Sequence, residues 1–150
     1  MNDEALSSSH APDLPFWHEN PWEWDLDHRA LKILVVEDEL LIGMDLVMLL
    51  EDWGYIASGP HPTPKAALAA IEEDGPDLAI LDVNLGNGHT SIPIAEHLAS
   101  LGIPFIFLTG YSSISDKKFE AFDVRPRLRK PVSENSLRRA LSDLPEELHP

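Results

Sequence analysis

From residue 30 onward, short apolar runs alternate with longer segments of helical period. Leu31 to Val36 is apolar and β-branched and reads as a strand. Glu39 to Trp53 reads as a helix stopped by Gly54. Tyr55 to Ser58 is a second short strand. Thr63 and Pro64 form a good cap and first-position pair, and Lys65 to Glu73 continues as helix. Leu78 to Leu81 is an apolar strand ending at Asp82. Ser91 to Leu101 predicts a helix closed by Gly102, and Phe105 to Leu108 a fourth strand. Ser115 to Phe122 has poor helix signals and predicts a short helix. Leu128 lies in a short last strand, and Ser133 caps a last helix running to Leu144. Five strand–helix units in about 115 residues predict an α/β fold: a doubly wound, five-stranded parallel sheet with helices on both faces. Ligands of such sheets bind at the carboxyl ends of the strands.

The residues ending the strands therefore carry the candidate chemistry. The first strand ends in Glu37-Asp38-Glu39, the third in Asp82, the fourth in Thr109-Gly110 and the fifth in Lys130-Pro131. Clustered carboxylates repel, and burial raises their pKa values. A divalent metal removes that conflict, and an all-oxygen donor set suits Mg²⁺. A lysine and a hydroxyl facing the same point can hold phosphoryl oxygens. Each piece alone has a structural explanation, such as a solvated helix start or a cap. All four, in order and at strand ends, point to one site.

Composition limits the partners. The 150 residues carry 26 Asp and Glu against 11 Lys and Arg, a net charge of −15. That excess argues against direct nucleic-acid binding and against an anionic membrane surface. No apolar run approaches a membrane span of roughly 20 residues, no secretory leader is evident, and cysteine is absent. These features favour a cytoplasmic protein. The charge is uneven: residues 1–28 hold seven acids and no Lys or Arg, whereas residues 117–139 hold eight bases and three acids.

Leu34-Val35-Val36-Glu37-Asp38, Leu81-Asp82-Val83-Asn84-Leu85, Thr109-Gly110 and Lys130-Pro131 together resemble the receiver domain of two-component response regulators. Phe107-Leu108-Thr109-Gly110-Tyr111 is similar to the motif of a mostly single-domain receiver subfamily named for Phe-Ala-Thr-Gly-Tyr, with Leu108 in place of Ala. The resemblance covers residues 31–145. It leaves 1–30 as an acidic, aromatic-containing extension and 146–150 as a tail. It implies a flavodoxin-like fold with strand order 2-1-3-4-5.

The resemblance also implies roles. Asp82 is then the phosphoacceptor, taking a phosphoryl group from a histidine kinase or a phosphotransfer protein. Glu37, Asp38, Asp82 and the backbone carbonyl of Asn84 hold Mg²⁺. Lys130 pairs with Asp82 before transfer and with a phosphoryl oxygen after it, Thr109 binds another oxygen, and Gly110 leaves the nucleophile open. The Lys130–Pro131 bond is a cis candidate, as in many relatives. Arg127 stands where most receivers have an aromatic three residues before the lysine, which puts the usual threonine–aromatic coupling in doubt. Tyr111 is then either the moving aromatic or a residue that packs beside the loop. The fold would act as a phosphorylation switch in bacterial signalling and not as a turnover enzyme.

Two features point to partners. Residues 40–50 hold nine apolar residues among eleven, which predicts a helix buried on more than one side. A second copy of the chain or the N-terminal extension is the expected cover. That extension carries Phe16, Trp17, Trp22 and Trp24. It reads either as a mobile tail or as a docking segment, and the basic stretch 117–139 would meet it or an acidic partner. With no second domain in these residues, a stand-alone response regulator is the leading expectation. A phosphorylation-independent interaction module that keeps the acidic pocket is the alternative. Asn84 argues against an Asp-nucleophile phosphohydrolase, which usually has a second Asp at that position.

Overall fold

In the computed structural model, residues 30–110, 117–122 and 125–143 are described. Five parallel strands form one sheet: β1 (Lys32–Val36), β2 (Ile56–His61), β3 (Leu78–Asp82), β4 (Phe105–Thr109) and β5 (Arg127–Arg129). Their order is β2-β1-β3-β4-β5, as expected. Between them run α1 (Leu40–Asp52), α2 (Pro64–Glu73), α3 (Ile92–Ser100) and a 3₁₀ helix (Lys117–Phe122), and α4 (Glu134–Ser142) closes the fold.

The central strands are apolar because both of their faces are covered. Every residue of β3 is buried, as are four of the five in β1. Alternate residues feed two cores. Leu34, Val36, Ala79, Leu81, Phe105 and Phe107 pack with α2, α3 and the 3₁₀ helix. Ile33, Val35, Ile80, Ile106 and Leu108 pack with α1 and α4. The 3₁₀ helix is pinned on β4 by aromatic edges. Phe119 lies 5.4 Å from Phe107, and Phe122 lies 5.5 Å from Phe105.

Local chemistry sets the helix ends. Thr63 Oγ1 accepts from the Ala66 N–H at 3.1 Å, and Ser133 Oγ from the Ser136 N–H at 3.1 Å. Both caps were expected. Gly54, at φ +95°, takes the chain out of α1.

Two segments depart from the sequence reading. β2 runs on past the expected end at Ser58, through Gly59 and Pro60, to His61. It is an edge strand, where proline sacrifices no interior ladder bond. Over Lys117–Phe122 the short helix expected from Ser115 is a 3₁₀ helix, and residues 115 and 116 lie outside the described residues. The cover expected for the outer side of α1, a second copy or the N-terminal extension, is not among the described residues. Gly43, Leu46 and Leu50 face the sheet, while Leu40, Leu41, Met44 and Met48 are exposed. The Lys130–Pro131 bond is cis, as anticipated, and so is Gly59–Pro60. Tyr111, the N-terminal extension and the C-terminal tail lie outside the described residues.

Candidate functional site

Parallel register brings four strand ends into line. Val36 stands opposite Leu81, so Glu37 follows beside Asp82. Asp82 pairs with Leu108, the residue before Thr109, and Thr109 pairs with Arg129, the residue before Lys130. Backbone bonds carry this order past the strands. The Glu37 N–H donates to the His61 carbonyl at 3.0 Å, the Val83 N–H to Leu108 at 3.0 Å, and the Lys130 N–H to Thr109 at 2.8 Å.

The side chains converge on one rim. Asp82 is 4% exposed and Glu37 1%. Lys130 Nζ donates to Asp82 Oδ2 at 2.9 Å and lies 2.6 Å from Glu37 Oε1. The second contact is close enough to tie Glu37 directly to the lysine. Lys130 also lies 3.5 Å from Glu39 Oε1. Sequence reasoning placed Glu39 in the acidic run but gave it no role.

Electrostatics follow from this packing. Burial pushes the Glu37 carboxyl up to about 8; the neighbouring Asp82 adds to the rise and Lys130 opposes it. Burial acts to lower the Lys130 pKa. The close contacts and charges of Glu37 and Asp82 outweigh it and hold the ammonium above its ordinary value. Lys130 is therefore charged at neutral pH.

The donors fit a hard divalent cation. One carboxylate oxygen from each of Glu37, Asp38 and Asp82 lies within 4.8 Å of the others, with Asp38 exposed to solvent. All three groups offer carboxylate oxygens, the donor type a hard divalent cation takes, and two of the three residues are buried. Asn84 faces Thr90 across an isolated bridge. The bonds flanking that bridge run from the Leu85 N–H to the His89 carbonyl and from the Ser91 N–H to the Val83 carbonyl. They use neither backbone group of Asn84. Gly86 was missed from sequence: a Cβ there would sit 3.1 Å from Asp38 Oδ2. Its only signal was the turn-like Gly86-Asn87-Gly88.

The remaining candidates divide. Thr109 is half-buried, and its hydroxyl donates to the Leu128 carbonyl at a long 3.4 Å. A Cβ on Gly110 would meet none of the described residues within 4 Å. Arg127 opens β5 opposite Phe107 and is exposed.

A doubly wound sheet with buried acids and a lysine on its carboxyl rim narrows the family, and comparison decides it. A family model described as the response regulator receiver domain matches residues 33–142. The chain belongs to that family. It is 44% identical to SdrG from Sphingomonas melonis Fr1, whose solution structure aligns at a TM-score of 0.65, covering 75% of this chain and 94% of that one. A structure described as the BeF3-activated conformation of SdrG from Pseudomonas melonis Fr1 aligns at 0.64 with 45% identity, covering 77% of this chain and 97% of that one. The phyllosphere-induced regulator PhyR of Methylorubrum extorquens is 36% identical over 84 residues, covering 55% of this chain and 32% of PhyR. The sensory transduction protein LytT of Bacillus subtilis is 30% identical over 114 residues, covering 74% of this chain and 46% of LytT. The chain thus spans less than half of these two curated relatives. Among the described residues, no helix of this receiver is long and apolar enough to cross a membrane.

Proposed function

We propose that this receiver accepts a phosphoryl group on Asp82 from the phosphohistidine of a histidine kinase or phosphotransfer protein, and signals through partner binding. One observation carries the reading: a nearly buried aspartate on the rim, held by Lys130 at 2.9 Å and grouped with two further carboxylates. An Asp82 carboxylate oxygen forms the new O–P bond as the histidine N–P bond breaks. The bond's electron pair returns to the imidazole nitrogen. Lys130 holds Asp82 in place beforehand and meets a phosphoryl oxygen afterwards, and the Thr109 hydroxyl turns to a second oxygen. Open space at Gly110 admits the donor. Glu37, Asp38, Asp82 and the Asn84 carbonyl would hold Mg²⁺, which neutralises charge on the transferring oxygens. Aspartyl phosphate adds about −1.5 to −2 charge at the rim, and the face from residue 110 to 131 responds. On this reading the chain works in the bacterial cytoplasm as a switch, with no substrate turned over.

The test is transfer from purified histidine kinases of the source organism to the full chain. The reading expects an Mg²⁺-dependent, acid-stable, base-labile label that Asp82→Asn lacks. No label from any kinase or small phosphoryl donor would leave a phosphorylation-independent interaction module instead.

A further inference from the structure

The rim's first acid is held from two sides, and both holds pass through one contact. β1 and β2 pair Leu34 with Ser58 but Val36 with His61, so β2 carries one extra residue. Gly59 makes this bulge at φ +118°, where a Cβ would lie 2.5 Å from the Val35 carbonyl oxygen. Ser58 Oγ and His61 Nε2 close the bulge at 2.9 Å. The bulge delivers the His61 carbonyl to the Glu37 N–H at 3.0 Å, one residue beyond the end of β1. From the other side, Glu37 Oε2 accepts from the backbone N–H of Glu39, where α1 begins, at 3.3 Å.

α1 and the bulge meet at Gly43 and Pro60. A Cβ on Gly43 would sit 2.4 Å from Pro60 Cβ, 2.7 Å from Pro60 Cγ and 3.5 Å from Glu37 Cβ. A proline ring is tied to its own backbone and cannot swing aside like a flexible side chain. Glycine is a poor helix residue, and this contact accounts for its place inside α1.

We propose that Gly43 and Pro60 are positioning residues: their contact sets the placement of Glu37 and so the affinity of the acid cluster for Mg²⁺. The inference rests on the metal-holding role given to the cluster above. It concerns how the ligand is aimed, since neither residue touches the phosphoryl group.

The experiment compares the full wild-type chain with Gly43→Ala, Pro60→Gly and the double variant. Two readouts are taken: amide hydrogen exchange of Glu37 in the metal-free protein, relative to the amides of β3, and Mg²⁺ affinity by calorimetry. Each single change should speed Glu37 exchange and weaken Mg²⁺ binding roughly 10-fold, the scale of losing a supporting contact to a metal ligand. In the double variant the methyl added at position 43 occupies room vacated by the ring, and affinity should return to within about threefold of wild type. Leu141→Ala, a cavity under α4, should lower stability and leave both readouts unmoved. The proposal is overturned if the single changes leave Glu37 exchange and affinity unaltered, or if the double variant only sums their losses. Should Gly43→Ala not fold, Pro60→Gly adds no atom and decides by the same criteria. A wild-type chain that binds no Mg²⁺ would instead refute the proposed function, and Glu37 exchange across the variants would still decide the contact.

Discussion

The two halves of the rim are built differently. Its acidic half stands on β1 and β3, interior strands of the sheet. Glu37 and Asp82 are consequently buried, and burial raises the Glu37 carboxyl to about 8. The other half stands on β4 and the three-residue edge strand β5. There Thr109 makes only a long bond to Leu128, and Lys130 must reach across with its four-carbon stem to meet the acids. One half gathers buried carboxyls on interior strands; the other brings a long cationic side chain and a weakly held hydroxyl. On the proposed function, the first half would hold the cation and the second would meet the phosphoryl group.

Substitutions on each half can break that distinction. The largest effect is expected from Lys130→Ala, which removes the cation holding Asp82. Transfer should slow by about 100-fold or more, as when one preorganised donor to developing charge is lost, measured as label per unit time. Glu37→Gln comes next, acting on the metal rather than on the transfer geometry: Mg²⁺ affinity should fall at least ~10-fold by calorimetry.

The same residue gives a pH signature. Glu37 holds its proton up to about pH 8 in the fold against an ordinary value of 4.5. Its contribution to stability is therefore complete below about pH 4.5 and is lost as pH rises through about 8. Metal-free wild type should lose denaturant resistance across that window, and Glu37→Gln should lack this part of the loss. Because a cation must displace the proton, wild-type Mg²⁺ affinity should climb with pH and level off near 8. A flat profile would mean that Glu37 is already ionised.

Thr109→Ala should have the smallest effect, about tenfold on transfer, the scale of one hydrogen bond to a charged group. Thr109→Ser should retain the wild-type rate. An Ala effect as large as that of Lys130→Ala would erase the proposed difference within the second half.

Most of this was legible in the sequence because buried parallel strands are short, apolar and terminated by their chemistry. Asp82 follows four apolar residues, and Glu37 follows the β1 run. Both lie on the rim, as does Lys130. What sequence missed depends on tertiary neighbours. Gly59 and Pro60 lie beyond the strand read from the sequence, yet they continue an edge strand, and Pro60 lies against Gly43 of α1. Gly43 looked like a break in an apolar helix, although it is the point where the helix touches that strand. Hydrophobicity alone does not say which face of that helix meets the sheet: Gly43, Leu46 and Leu50 are the buried ones. Leu41, at 79% exposure, is open to solvent. Glu39 acquires its contact with Lys130 across 91 residues of chain, a distance at which local pattern is silent.

The central claim is that Asp82 is the atom-bearing acceptor on this rim. The direct measurement is to incubate the full chain with a small phosphoryl donor and Mg²⁺, reduce with borohydride, and map the products by mass spectrometry. Reduction converts an acyl phosphate on aspartate to homoserine. The account predicts homoserine at position 82, its loss when Mg²⁺ is chelated, and its near absence in Lys130→Ala. Homoserine at another acid, such as Asp38, or none at position 82 under donor excess, would contradict it.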